Sequence, residues 1–147
     1  MNLIFSLSQS QINEITAACL VVIAVLVFIL ISIRRRFTKN VNTQRIAHRW
    51  QTLQKNCATR KTWPIAIIEA DNLLDDVLKS LHYKGKTTGE RLVAAQHDIS
   101  SNDSVWYGHK MRNQIVGQDV RTLKKADILN ALAGFRQALK DLGALEK

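Results

Sequence analysis

The sequence predicts an all-α protein, in which one N-terminal transmembrane helix precedes a small bundle of about five helices. Residues 15–33 form an apolar run of 19 residues without a charge. Downstream, apolar residues recur at spacings of three and four, which is the period of a helix with one buried face. No segment shows the alternation that a half-buried strand requires. The 114 residues after position 33 suffice for one small domain.

The apolar run predicts a stable membrane anchor. As a helix it is about 28 Å long, close to the thickness of the hydrocarbon core of a bilayer. A signal peptide would begin with basic residues, but residues 1–14 contain no Lys or Arg, and Arg34, Arg35 and Arg36 follow the run. The positive-inside rule therefore predicts a single-pass protein of the plasma (cytoplasmic) membrane. Residues 1–14 would lie outside, and the C-terminal domain would be cytoplasmic.

The charge is concentrated next to this run. The chain has a net charge of +9, and residues 34–61 hold nine Lys or Arg and no acid. Residues 62–147 hold twelve basic and eleven acidic residues, so the distal part is nearly balanced. We interpret residues 34–61 as a basic juxtamembrane helix whose first cations, Arg34, Arg35, Arg36 and Lys39, face anionic lipid headgroups. Nucleic acid or an acidic partner remains the alternative for this segment.

Helix 34–56 carries an apolar stripe of Ile46, Trp50 and Leu53, with Trp50 expected to pack on the domain. The cytoplasmic bundle is expected to span residues 62–147. Its first helix starts with Thr62 as the cap and has a long apolar face. That face comprises Ile67, Ala70, Leu74, Val77, Leu78 and Leu81.

The remaining helices are marked by their caps. Thr87 and Glu90 form a capping box in front of a short helix with Leu92, Val93 and Ala95. The next helix starts near residue 102 and is broken by Gly117. The last helix starts after Thr122 and ends before Gly143. Its expected apolar residues are Ala126, Leu129, Leu132, Ala133, Phe135, Leu139 and Leu142.

Polar residues within these helices are the candidates for a site. His109, Arg112 and Asn113 share one helix face, and this combination can bind a phosphate or assist chemistry at one. The structural alternative is that Arg112 pairs with a carboxylate of the Thr62 helix, either Glu69 or Asp71. We therefore predict a structural polar cluster of Glu69, Asp71, Arg91 and Arg112.

Cys19 and Cys57 form no disulfide or metal motif, and we expect no metal or cofactor.

The segment from His109 to Asn113 resembles the helix motif of HEPN-type domains, which are small α-helical bundles. Residues 63–145 are also similar to the cytoplasmic part of uncharacterised single-pass membrane proteins of reduced-genome bacteria. The HEPN motif is an Arg, commonly followed by a residue such as Asn, and a His four to six positions later. This resemblance implies a metal-independent ribonuclease site formed across a dimer.

The chain departs from that motif where the His should stand. In the membrane-protein group Arg-Asn is followed by two residues and Ala-His, and the His position is Gly117 here. No His follows Arg112, so the usual proton-transferring group is missing. We expect a non-catalytic interaction or dimerisation module with the bilayer and a second copy or another protein as partners. The alternative is a ribonuclease or nucleotide-binding domain in which Arg112 contacts phosphate, Asn113 orients it and His109 replaces the base.

Overall fold

The structure, a computed structural model, describes residues 9–38, 41–118 and 123–146, with side chains described for 12–31, 41–118 and 123–146. Every regular element in these ranges is helical, which confirms the all-α prediction. The helices are α1 Gln9–Thr38, α2 Thr43–Asn56, α3 Trp63–Ser80, α4 Thr88–Ala95, α5 Asn102–Val116 and α6 Lys125–Asp141, with a 3-10 turn at Arg60–Thr62 before α3.

The chain divides into two compact units, residues 1–37 and residues 38–147. Helix α1 provides the first unit. Its segment Ile12–Ile31 is 20 residues long and, by length and composition, apolar enough to cross a membrane. The described chain buries none of this segment, so its apolar side chains have no protein cover.

The expected continuous helix over 34–56 is interrupted. Helix α1 runs through the backbone of the three arginines to Thr38, and a new helix starts at Thr43. The cause lies at Asn42, whose side-chain Oδ1 accepts the backbone N–H of Arg45 at 3.0 Å. An Asn that bonds in this way begins a helix. Lys39 lies outside the described residues, as do the side chains of Arg34, Arg35 and Arg36.

Helix α2 belongs to the bundle. Ile46, Trp50 and Leu53 are all buried, and Trp50 is only 5% exposed, which confirms that this indole packs on the domain. The basic segment 34–61 is therefore divided between α1, α2 and the 3-10 turn. The core of the bundle begins with Val41, well before residue 62.

Helix α3 is the central element and contacts α2, α4, α5 and α6. Its predicted apolar face is confirmed, because all six residues of that face are buried. Thr62 is the N-cap residue of α3 and Pro64 lies in its first turn, as predicted, but the expected side-chain bond is absent. The Thr62 hydroxyl makes no capping bond to α3 and instead donates to the carbonyl of Asn56, which ties the start of α3 to the end of α2.

The capping box of α4 is present with one variation. Thr87 Oγ1 accepts the backbone N–H of Glu90 at 3.2 Å, as predicted. The Glu90 carboxylate accepts the backbone N–H of Lys86 at 2.7 Å, one residue before the cap. Leu92 and Ala95 are buried, whereas Val93 is 52% exposed and faces solvent.

Helices α5 and α6 share the most extensive contact of the bundle. They approach at two glycines, where an added Cβ would lie 2.6 Å from the Phe135 ring at Gly108 and 2.6 Å from the Ser104 backbone at Gly134. Gly117 ends α5, as predicted. Gly143, with φ +70°, ends α6 in a Schellman motif, because the next residue, Ala144, donates its N–H to the Leu139 carbonyl at 2.8 Å.

The predicted apolar face of α6 is only partly correct. Leu132, Phe135, Leu139 and Leu142 are buried. The other three predicted residues are exposed, and they follow each other at spacings of three and four on the opposite side of α6: Ala126, Leu129 and Ala133. Ile128 and Ala131 take their place in the core, because Gly134 fixes which side of α6 lies against α5.

Candidate functional site: a polar ring between two helices

The site is built on a contact between Asp71 of α3 and His109 of α5. The Asp71 Oδ1 and His109 Nδ1 atoms lie 2.8 Å apart, and Asp71 is only 1% exposed. A carboxylate accepts hydrogen bonds only, so the imidazole donates from Nδ1. The bond joins residues 38 positions apart in sequence and therefore fixes α5 against α3.

Two further residues of α5 complete a closed ring. Asn113 Nδ2 lies 3.3 Å from His109 Nε2, and Arg112 Nη1 donates to Asn113 Oδ1 at 3.1 Å. With the imidazole proton on Nδ1, Nε2 is an acceptor, and the amide that donates to it must present its oxygen to Arg112. All three bonds therefore agree on one tautomer of His109 and one orientation of the Asn113 amide.

Arg112 closes the ring through a contact with Asp71. Its Nε lies 3.6 Å from Asp71 Oδ2, a charge contact that is longer than a hydrogen bond. The Nε atom is buried, while the side chain as a whole is 31% exposed. The buried carboxylate is thus balanced by a guanidinium on one oxygen and bonded by an imidazole on the other. We call Asp71, His109, Arg112 and Asn113 the polar ring.

The polar ring is covered by Trp106 of α5 and by Gly89 of α4. The Trp106 indole stands edge-on to the His109 imidazole, with 5.8 Å between the ring centroids. A Cβ added to Gly89 would lie 3.5 Å from His109 Nε2 and 3.7 Å from the Trp106 ring. This cover leaves the His109 side chain 13% exposed, so solvent reaches only part of the imidazole.

Arg91, which was predicted to join the same cluster, lies in a separate one. Its Nε donates to Asp75 Oδ1 at 2.7 Å and its Nη1 to the Gly85 carbonyl at 2.6 Å. Lys79 approaches the other Asp75 oxygen at 2.7 Å. Burial opposes ionisation of Asp75, but the hydrogen bonds and charges of Lys79 and Arg91 outweigh it, so the pKa of Asp75 lies below its ordinary 3.8.

The structure therefore divides the predicted cluster of Glu69, Asp71, Arg91 and Arg112. Asp71 lies against Arg112, Arg91 lies against Asp75, and Glu69 is exposed on α3. The involvement of Asp75 has a sequence signal that the prediction did not use. Asp75 lies four residues after Asp71 and four before Lys79, so all three share one side of α3.

A third polar contact joins α5 to α6. The Tyr107 hydroxyl bonds to the Asp127 side chain, and partial desolvation together with this bond raises the pKa of Tyr107 above its ordinary 10. Tyr107 precedes the buried Gly108 and stays 38% exposed. The contact therefore lies at the rim of the α5–α6 interface.

The polar ring contains an imidazole that a carboxylate orients through Nδ1, an arrangement that leaves Nε2 as the acceptor nitrogen. Here the Asn113 amide occupies that nitrogen. Within the described ranges, no three His, Cys, Asp or Glu residues lie together as metal ligands.

No protein-family model, curated protein or solved structure matches the chain.

Proposed function

We propose that the chain is a single-pass membrane protein that holds a non-catalytic helical interaction domain at the cytoplasmic face of the membrane. The observation that carries this proposal is the uncovered apolar segment Ile12–Ile31 of α1. A helix that is apolar on all sides needs an apolar surrounding, and no described part of the chain supplies one. Lipid is the surrounding that matches its length.

The proposed orientation follows from the charges on the two sides of α1. Residues 1–14 contain no Lys or Arg, and residues 34–61 contain nine. Cations resist transfer across the membrane, so residues 1–14 lie outside and the bundle is cytoplasmic. Arg34, Arg35, Arg36 and Lys39 then lie where anionic headgroups attract them.

The non-catalytic role is supported by the closure of the polar ring. Both nitrogens of His109 are engaged, one by Asp71 and the other by Asn113. The acceptor nitrogen that a general base would use is therefore bonded to the Asn113 amide in this structure. The polar ring therefore serves to join α3 to α5, and the domain acts by binding a second copy or another protein at the membrane.

The anchor and its orientation are tested on the full chain in inside-out and right-side-out membrane vesicles. We expect alkaline carbonate to leave the chain in the membrane pellet, and added protease to remove the bundle only from inside-out vesicles. Release by carbonate would exclude the anchor. Digestion from right-side-out vesicles alone would reverse the orientation. A counterpart with Leu20→Arg and Leu26→Arg in the apolar segment should fail to remain in the pellet.

The binding role is tested by subunit counting on the full chain in lipid nanodiscs, followed by crosslinking from Trp106 in native membranes. Trp106 is 38% exposed on α5 and lies beside the polar ring. We expect two copies per disc or one specific crosslinked protein. A single copy without any crosslinked partner would contradict the binding role and leave the anchor intact.

The second candidate, a membrane-tethered ribonuclease or nucleotide-binding domain, is favoured by one observation. Asp71 orients the His109 imidazole, with Arg112 and Asn113 beside it, as a site for acid–base chemistry at a phosphate would require. Displacement of the Asn113 amide by a substrate would free Nε2. Arg112 would then contact the phosphate and Asn113 would orient it.

RNA of mixed sequence added to the reconstituted full chain distinguishes the two candidates. Cleavage or binding that is lost in Arg112→Ala and His109→Gln would establish the second candidate. Lys110→Ala is the matched control, because Lys110 is an exposed cation on the same helix. RNA that stays intact and unbound with the unmodified chain leaves the binding module as the proposal.

A further inference from the structure

The turn between α2 and α3 presents cations around an exposed aliphatic side chain. Lys55, Arg60 and Lys61 are exposed, and Ile65 is 51% exposed. We call these four residues the basic corner. The sequence has no Asp or Glu between Glu14 and Glu69, so no acid lies within the turn to neutralise them.

The backbone of the basic corner is held in place. The Trp63 indole Nε1 donates to the Cys57 carbonyl at 3.1 Å, and the Thr62 hydroxyl donates to the Asn56 carbonyl. These two bonds tie the start of α3 to the end of α2. The basic corner is therefore a preformed surface, and its binding to a partner requires little ordering of the backbone.

The side chains at the start of α3 share one side. The 3-10 turn at Arg60–Thr62 leads directly into α3, so Lys61 and Ile65 are one helical turn apart. The next exposed residue along this side is Glu69, one turn beyond Ile65. The surface therefore changes from cationic and aliphatic to acidic within two turns, which limits the basic corner to the tip of α3.

We propose that the basic corner is a second membrane-contact surface, at which Lys55, Arg60 and Lys61 bind anionic lipid headgroups and Ile65 enters the boundary between headgroups and acyl chains. The inference rests on the anchoring proposed above, because α1 keeps the bundle close to the bilayer. The bundle would thereby be held against the membrane as well as tethered to it.

The composition of the basic corner favours lipid over nucleic acid. An aliphatic side chain among cations suits the boundary between charged headgroups and acyl chains. Single-stranded nucleic acid would use exposed aromatic rings for stacking, but the aromatic residue at the start of α3, Trp63, is partly buried and bonded through its indole nitrogen. Each cation near an anionic surface shifts the equilibrium by a factor of about 5.

The test places a nitroxide on the full chain through Ile65→Cys, with Cys19 and Cys57 replaced by Ala, in nanodiscs. Paramagnetic relaxation by oxygen and by a soluble nickel chelate reports the depth of the label. In discs with phosphatidylglycerol we expect the label below the headgroups, and in pure phosphatidylcholine discs we expect it in water. Leu129→Cys is the matched control, because Leu129 is 55% exposed on α6 and should stay in water in both lipids.

The cations are tested in the same discs. Arg60→Gln together with Lys61→Gln should return the Ile65 label to water, with a shift in the bound fraction of roughly 25-fold from two charges. Lys124→Gln with Lys125→Gln removes two exposed cations elsewhere and should change nothing.

Three outcomes would overturn the proposal. The first is a label that stays in water in phosphatidylglycerol discs containing the incorporated chain, which leaves the anchor standing. The second is shielding of the label that appears only after RNA or an acidic protein is added. The third is failure of the chain to enter discs at all, which removes the anchor and the basic corner together.

Discussion

At the scale of single residues, Asp71 is the least exposed of the buried charged residues among those that the structure describes. It is buried, and its two oxygens face an imidazole and a guanidinium from α5. A buried carboxylate is tolerated only when its partners replace the water that it loses. Asp71 and its partners are therefore expected to depend on one another.

Asp71→Ala should lower the free energy of unfolding by about 3 kcal/mol, because it leaves the His109 Nδ1–H and the Arg112 charge without their acceptor. Urea unfolding of residues 38–147 measures this, since all core residues lie within that range. Glu69→Ala, at an exposed position on α3, should change the stability by less than about 0.5 kcal/mol. Equal losses in the two variants would show that the polar ring does not stabilise the bundle.

The same measurement in a double-mutant cycle tests whether the polar ring acts as a unit. Asp71→Ala and His109→Phe together should cost less than the sum of the two single changes, by about 1 kcal/mol or more. The physical reason is that the second substitution removes a group that the first had already left unpaired. Strict additivity would mean that the 2.8 Å contact contributes no coupling.

The second buried acid, Asp75, leads to a prediction of how the free energy of unfolding depends on pH. Its folded-state pKa lies below 3.8, so the folded carboxylate holds its proton less tightly than the unfolded one. The stability that it contributes is present above the unfolded pKa and is lost as pH falls through the folded pKa, below 3.8. Asp75→Asn should therefore flatten the acid side of the curve of unfolding free energy against pH. An unchanged acid side would contradict the assignment of Arg91 and Lys79 as its partners.

The sequence predicted which polar residues share a helix face. It predicted few of the contacts that these residues make with other helices. Spacing placed His109, Arg112 and Asn113 on one helix face, and they do meet. The assignment of Asp71 to His109, and of Asp75 to Arg91, depends on how α3 is rotated against α5 and α4. Helical periodicity describes each helix by itself and contains no information on that rotation.

At the scale of helices, the contact between α5 and α6 depends on two glycines, which have no side chain to separate the helices. Gly108 leaves room for the Phe135 ring, and Gly134 allows the Ser104 backbone to come close. A ring can turn aside from an added methyl group, whereas a helix backbone has to move as a whole. The two glycines therefore differ in how strictly they are required.

Gly134→Ala should be the more damaging helix substitution, because its Cβ would lie 2.6 Å from a backbone carbon of Ser104. We expect a loss of about 1–3 kcal/mol from overpacking, in excess of the gain in helix propensity. Thermal unfolding followed by circular dichroism measures it. Gly89→Ala is the control, since its Cβ would meet neighbours only at 3.5 Å and beyond. Comparable melting temperatures for both variants would mean that α5 and α6 pack more loosely than the structure shows.

The positions of the helices were predicted more successfully than the sides on which they are buried. Apolar periodicity and caps located the buried side of α3, the start of α4 and the C-terminal ends of α5 and α6. The outward position of Leu129 was not predicted, because α6 has apolar residues on both sides and a sequence cannot rank them. Gly134 determines which side of α6 is buried. This role can be recognised only once the structure places Ser104 opposite it.

At the scale of the whole molecule, the two compact units carry separate physical requirements. Among the described residues, the buried apolar residues of the bundle all lie at Val41 or later, outside the unit that contains α1. A chain that begins at Thr38 should therefore be soluble and should melt within about 2 °C of the full chain in detergent. Circular dichroism and light scattering measure this, and aggregation of the shortened chain would show that the bundle needs α1 to fold.

The close approach of α5 and α6 has a consequence for the order in which the bundle forms. These helices are consecutive in sequence, so their contact closes a short loop at little entropic cost. We expect them to pair early, with φ-values near 0.5–0.8 for substitutions at their interface and lower values in α2. In native-state hydrogen exchange, the amides beside Gly108 and Gly134 should then be the last to exchange. The polar ring would be completed later, when α3 docks on a helical hairpin that already exists.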